Sequence, residues 1–310
     1  MTSSSGETSG ALLAFSNHLA DAIAHAGQAI VAVNARHRMG SSGIHWQSGI
    51  IVTADHTVKR DEEITVLLPD SRTVTATLAG RDSGTDLAIL KLEESHLPVA
   101  DIGDSTSLRV GHMVLAIGRS SENGLCASMG VISALSGTWR TWHGGKIDQF
   151  IRPDLMLYPG FSGGPLVDTQ GQIVGINTSG PRRMTLTIPA STVNRILAQL
   201  LQKGRISRGY LGVGMQPVQL PDSLKQSLNL PSNGGVIVIS VEPGSPADQA
   251  GVLIGDIVVK LGDRLINDIG DVHHTLDPDQ VGKPLNAQVI RGGALVEFTI
   301  IVGERFRRAN

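Results

Sequence analysis

The sequence predicts a mainly β chain of two modules: an all-β part built as barrels or a sandwich, then a small α+β domain. Short, β-branched apolar runs recur from about Gln28 to Ile188 with turn residues between them, and the pattern changes beyond Tyr210. Glycine supports this reading, because 37 of 310 residues, about 12% against an ordinary value of about 7%, fits many tight turns between short strands. Apolar residues make up 41% and charged residues 17%, enough for real cores and unlike a disordered chain. The formal net charge of −2 gives no electrostatic reason to expect nucleic acid or an anionic membrane as a partner.

At the N-terminus, Leu12, Phe15, Leu19 and Ile23 recur at helical spacing. They predict a short amphipathic helix that docks on the body or on a neighbouring subunit. Ala24-His25-Ala26 resembles a leader cleavage site, but no Lys or Arg precedes Arg36, and Asn17, His18 and Asp21 interrupt the apolar stretch. The segment therefore reads as structure rather than an export signal, which points to the cytoplasm. No other stretch is apolar enough to span a bilayer.

Strands follow at "AIVAVNA", "GIIVTA", "EITVLL", "TVTATLA", "DLAILKL", "MVLAIG", "GVISAL", "QIVGIN" and "MTLTIP", separated by turns such as "LPDSR", "AGRDSG" and "DTQG". "PASTVNRILAQLLQKG" then predicts a helix capped by Ser191 or Thr192. Its apolar face is Val193, Ile196, Leu197 and Leu200, with Gly204 as the stop. "RISRG" reads as a linker. The second module runs from about Tyr210 to Gly303, with short helices near Pro246 to Ala250 and Ile269 to Leu276. The single cysteine, Cys126, excludes an internal disulfide framework and a CxxC metal site; it reads as a small buried residue where a loop enters a strand. The ten histidines show no HExxH spacing, so neither a metal nor another cofactor is expected.

Three residues carry candidate chemistry. In "DLMLYPGFSGGPLVD", Gly160, Gly163 and Gly164 crowd Ser162, so its hydroxyl sits on a turn that can bend sharply just before a core strand. "VTADHTV" places His56 just after an apolar strand, and "DSGTDLAILKL" places Asp86 at the start of another. A carboxylate there is partly desolvated and needs a donor, for which a histidine N–H is a natural partner. The chain order His, Asp, Ser is one in which the acyl-transfer triad occurs. Each residue alone has an ordinary structural reading (a packed histidine, an aspartate capping its turn, a glycine turn), and it is their joint occurrence that points to catalysis.

The same segments carry a family resemblance. "TADH", "TDLAILKL", "VGHMVLAIG" with "GVISAL", "IRPDLMLYPGFSGGPLVD" and "LTIPA" resemble the chymotrypsin-fold serine peptidases, and "YLGV" with "SPADQAGVLIGDIVVKLGD" resembles a PDZ domain. From residue 27 to 303 the chain is similar to the HtrA/Deg family. With the N-terminal helical segment read over 1–26, the resemblance implies a chymotrypsin-like double β-barrel over 27–203, a linker over 204–209 and an α+β PDZ domain over 210–306. It also implies an ATP-independent endopeptidase acting on unfolded or misfolded proteins. Ser162 would be the nucleophile, His56 the base, Asp86 its orienting acid, and the N–H groups of Gly160 and Ser162 the oxyanion hole. The substrate pocket, bordered by Leu157, Tyr158, Phe161 and Leu186 together with Leu155 and Met156, would be apolar. In the PDZ module, Leu211, Gly212 and Val213 would hold the carboxylate of a peptide C-terminus, with His273 and His274 on the helix lining the groove. Family members assemble as trimers through N-terminal segments and are mostly extracytoplasmic, so a homotrimer using Phe15 is implied.

Phe161 and Tyr158 stand where the family usually has Asn. Either Phe161 fills a hydrophobic pocket, or it misdirects the peptide before Ser162 and leaves the resting site inactive. The second possibility keeps open a peptide-binding chaperone or adaptor on a weakly active scaffold. Arg182 and Arg183 are possible substrate contacts on the pocket rim.

Overall fold

The computed structural model describes residues 4–36, 40–93, 97–141, 144–180, 184–203, 206, 209–232, 234–276 and 280–304. The chain divides into two compact units, Met1–Ile206 and Ser207–Asn310.

The first unit opens with helix α1 (Ser4–Gly27), then β1 (Ile30–Asn34), β2 (Ser41–Gln47), β3 (Ile50–Ala54), β4 (Ile64–Leu67), β5 (Thr73–Asp82) and β6 (Leu87–Leu92). These six strands close into a barrel in the order β1-β2-β3-β6-β5-β4. There follow β7 (Met113–Ser120), β8 (Gly124–Ser136), the small ribbon β9 (Trp139–Arg140) and β10 (Lys146–Ile147), β11 (Phe150–Asp154), β12 (Pro165–Val167), β13 (Ile173–Ser179) and β14 (Thr185–Pro189). A second barrel closes in the order β11-β14-β13-β12-β7-β8, and helix α2 (Ala190–Lys203) ends the unit.

Period-two alternation explains why several strands read as unbroken apolar runs. Along β3 and β6, Ile51, Ala88 and Leu90 fill the first barrel, while Ile50, Val52, Leu87 and Ile89 point the other way. That outer face is not solvated. It joins Leu115, Ile117, Ile176 and Ile188 of the second barrel and Val193, Ile196, Leu197 and Leu200 of α2 in one shared core. The strands at the seam are therefore apolar on both faces, which locks together the two barrels whose strand ends bear the candidate residues.

Several elements differ from the sequence reading, which does not single out β2, β11 or α3. Thr192 does not cap α2: fully buried, its hydroxyl accepts the Asp148 N–H at 2.9 Å, and the helix starts at Ala190. The stop at Gly204 lies outside the described residues. Helix α1 is 24 residues long; its C-terminal half docks through Leu19, Ala22, Ile23 and Ala26, while Leu12, Leu13 and Phe15 are exposed. Cys126 lies inside β8 rather than at its entrance, and is half-buried.

The second unit contains β15 (Gly209–Tyr210), β16 (Val213–Gln219), α3 (Asp222–Ser227), β17 (Gly234–Val241), α4 (Pro246–Gln249), β18 (Ile257–Leu261), β19 (Arg264–Leu265), α5 (Ile269–Thr275), β20 (Pro284–Arg291), β21 (Ala294–Ile301) and β22 (Gly303–Glu304). Its main sheet runs β16-β17-β18-β20-β21, with β16 at one edge and α5 beside it. Val236, Val238, Leu261, Val272 and Val289 are core residues. Of the linker over 204–209, only Ile206 and Gly209 lie within the described residues.

Asp256, 1% exposed, fixes the loop before β18. It accepts Arg291 Nε and Nη2 at 2.8 and 2.7 Å and the Leu253 N–H at 2.8 Å. Burial alone would raise its pKa, but the bonds from Arg291 and Leu253 and the Arg291 charge outweigh burial and hold the carboxyl below its ordinary 3.8. A folded-state pKa below the unfolded one stabilises fully above about pH 4, and that contribution is lost as pH falls through the folded value. Asp256→Asn is expected to cost about 2–4 kcal/mol at neutral pH. Amide-exchange protection at Val258 and Val289 checks both points: it should drop below about pH 4 in the native chain, and in the variant be weaker and less pH-dependent there.

Candidate active site

Strand β3 is buried throughout and ends in a single 3₁₀ turn, Asp55–Thr57, which carries His56 out of the first barrel. Several bonds hold this turn. Thr57 Oγ1 donates to Ala54 O at 2.7 Å, Arg81 Nε to the buried Asp55 carboxylate at 2.5 Å, and Arg81 Nη2 to Val58 O at 2.8 Å.

Asp86 precedes β6. The turn before it is capped by a different aspartate: buried Asp82 accepts the N–H groups of Gly84 and Thr85 at 3.0 and 3.2 Å and the Thr85 hydroxyl at 2.7 Å. Asp86 is thereby free to turn elsewhere. Its φ of +58° lies in the left-handed region that Asp tolerates better than most side chains. From there its carboxylate grips His56 twice, accepting the backbone N–H on Oδ1 at 2.8 Å and facing ring Nδ1 with Oδ2 at 2.7 Å. The Thr178 hydroxyl, at the end of β13, also donates to Oδ2. An ionised carboxylate only accepts, so in the neutral imidazole the proton sits on Nδ1 and Nε2 keeps its lone pair.

Ser162 enters from the second barrel, three residues before β12. Tyr158 O accepts the Phe161 N–H at 3.0 Å, closing a turn with Pro159 and then Gly160, whose φ is +94°. Pro followed by a positive-φ glycine is the signature of a type II turn. The next residue, Gly163, is pressed against β2 and the end of β3: a Cβ there would lie 2.3 Å from Ser42 O and 2.4 Å from Thr53 Oγ1. This packing brings the serine turn against the strand that leads into His56. The fully buried Asn177 braces the turn from β13, since its amide donates to Pro165 O at 2.7 Å, its N–H to Gly164 O at 2.8 Å, and its carbonyl accepts the Gly163 N–H at 3.0 Å. Among the described residues, no protein acceptor takes the N–H of Gly160 or of Ser162.

Phe161 is 3% exposed, with its ring over Gly118 of β7 and edge-on to Tyr158 at 5.5 Å between centroids. Burying a phenylalanine contributes roughly 1.5–3 kcal/mol, so the ring anchors the turn in the second barrel. Leu186 is also buried, Leu157 half-buried, and Tyr158 and Met156 exposed. Arg182 and Arg183 lie outside the described residues. Ser42, Arg81, Asp82, Asn177 and Thr178 are the parts of the site that the sequence reading does not single out. The only signal for the last two is a polar "NTS" closing an otherwise apolar strand.

In the second unit, Leu211 and Gly212 join β15 to β16. Their carbonyls accept the N–H groups of Ala247 and Glu242 at 2.9 and 2.8 Å, while no protein acceptor takes their own N–H groups among the described residues. Val213 opens the edge strand β16, and α5 carries His273, half-buried, and His274, exposed.

This architecture is that of a trypsin-like serine peptidase joined to a PDZ domain. The trypsin-like peptidase domain family matches residues 41–176, and the PDZ domain family residues 209–302. The chain is 34% identical over 271 residues to a probable periplasmic serine endoprotease DegP-like of Hahella chejuensis, a match covering 86% of this chain and 57% of that one. It is 32% identical over 279 residues to the serine protease Do-like HtrA of Lactobacillus helveticus, covering 84% of this chain and 67% of that one. Among solved structures, the HtrA-type protease AlgW with decapeptide superposes with a TM-score of 0.74 at 29% identity, covering 94% of this chain and 99% of that one. The chain belongs to the HtrA family of serine proteases. It spans little more than half the length of several curated relatives, 57% of the Hahella protein among them.

Proposed function

We propose that this chain is a serine endopeptidase whose nucleophile is Ser162, acting on unfolded proteins and recruiting peptide C-termini through its PDZ domain. The observation that carries the reading is the double grip of Asp86 on His56, through the backbone N–H and Nδ1. It fixes both the position and the tautomer of the imidazole. His56 Nε2 removes the Ser162 proton as Oγ attacks the scissile carbonyl, then passes that proton to the leaving amine. Water next attacks the acyl-enzyme, again giving a proton to Nε2, and Ser162 is regenerated. The N–H groups of Gly160 and Ser162, which no acceptor among the described residues takes, stabilise the oxyanion, a service worth about 3–4 kcal/mol of barrier per donor. The type II turn and the buried Phe161 support a turn already shaped for this task.

A substrate pocket bordered by Leu155, Met156, Leu157, Tyr158 and Leu186 would favour cleavage after aliphatic residues, which folded proteins keep inside. In the PDZ unit, the N–H groups of Leu211 and Gly212, which no acceptor among the described residues takes, with Val213 at the start of the edge strand, suit a terminal carboxylate and a peptide added as a further strand. The exposed Leu12, Leu13 and Phe15 of α1 support self-association through that helix, as a homotrimer.

The test is cleavage of casein and of a folded protein by the native chain and by Ser162→Ala, with and without a hydrophobic C-terminal peptide. Casein should be cut by the native chain alone and the folded protein spared. Amidating the peptide terminus should weaken its binding about 10–100-fold, the worth of a lost charge-assisted hydrogen bond. Equal inactivity of both chains under every condition would instead favour a peptide-binding chaperone or adaptor.

A further inference from the structure

We propose that Ser42 is a positioning residue for the oxyanion-binding turn, its hydroxyl holding the Gly160 carbonyl so that the N–H groups on either side of Phe161 stay aimed at the reacting carbonyl. The inference rests on the reading of Ser162 as the nucleophile.

Ser42 lies on β2 of the first barrel and is fully buried. Its Oγ donates to Gly160 O at 2.7 Å and accepts the Arg119 N–H at 2.9 Å. A backbone N–H can only donate and a carbonyl can only accept, so the hydroxyl has one orientation. The Ser42 N–H donates to Ser162 O at 3.1 Å. One residue thus holds the carbonyls of both Gly160 and Ser162.

Peptide planarity converts this grip into an aim. With the Gly160 carbonyl drawn to β2, the Phe161 N–H of the same peptide points the opposite way, to Tyr158 O. That bond closes the turn in which the Gly160 N–H has no acceptor among the described residues. Glycine at φ +94° has no side chain to hold its peptides in place, so the lock must come from outside. Ser42 supplies it across the seam between the barrels. Arg119, which orients the hydroxyl, is itself pinned: its guanidinium donates to Ile30 O at 2.7 Å and to Gly27 O at 3.0 Å.

The experiment compares Ser42→Ala with the native full-length chain, using a fluorogenic casein peptide and a peptide boronate that mimics the tetrahedral intermediate. The expected result is a kcat lower by about 10²-fold with KM within about twofold, and boronate affinity reduced in the same proportion. Affinity for the cleaved, non-covalent peptide should not change, and thermal melting should show a folded variant. Should Ser42→Ala unfold, Ser42→Cys, which keeps a side chain there with a weaker donor, is measured against the same criteria. A kcat and boronate affinity within about twofold of native, in a folded variant, would overturn the role of Ser42 and leave the peptidase reading intact. Absence of Ser162-dependent turnover in the native chain would overturn both.

Discussion

Ser162→Ala is expected to lower kcat by a factor on the order of 10⁵–10⁶ while leaving the fold in place. The hydroxyl makes no structural hydrogen bond among the described residues, and the turn is held by Ser42, Asn177 and Phe161 through backbone atoms and packing. Melting should therefore shift by no more than about 0.5 kcal/mol worth of stability. His56→Ala should cost nearly as much, and the double variant little more than either, because nucleophile and base act as one unit. Casein kinetics on the three variants check the magnitude and the non-additivity together.

Asp86→Asn is expected to cost about 10⁴ in kcat. Asn accepts the left-handed backbone at position 86, so the loop should survive. With its amide nitrogen turned to His56 Nδ1, the ring must accept there and carry its proton on Nε2, where it cannot take the proton of Ser162. Nitrogen NMR of labelled histidine reads this directly: the proton sits on Nδ1 in the native chain and on Nε2 in the variant. A variant with the native tautomer and native rate would show that Asp86 does not orient the base.

The candidate triad is legible in the sequence because each member stands at the boundary of an apolar run, where a polar residue is conspicuous. Its supports are not, because their partners are far along the chain. Ser42 meets Gly160 across 118 positions, and Thr178 meets Asp86 across 92. For the same reason β2, "SSGIHWQ", does not read as a strand. Ser41, Ser42 and His45 are buried there, and a distant partner serves His45, whose Nδ1 faces Pro98 O at 2.9 Å while its Nε2 accepts the nearby Gly49 N–H at 3.0 Å. Thr192 shows the same effect: local chemistry makes it a helix cap, but the loop at Asp148 claims its hydroxyl instead. Asp82 and Asp86 share one short turn, and only the three-dimensional arrangement shows which one caps it and which reaches the histidine. The double barrel was more visible than its seam, since strand content is local and the packing of two outer faces is not.

The central claim, that Ser162 is activated by the His56–Asp86 pair, is tested most directly by labelling the native chain and His56→Ala with a fluorophosphonate and mapping the adduct by mass spectrometry. The account predicts a single adduct on Ser162 in the native chain and labelling slower by orders of magnitude in the variant. An unlabelled Ser162, or equal labelling in the two proteins, would contradict it.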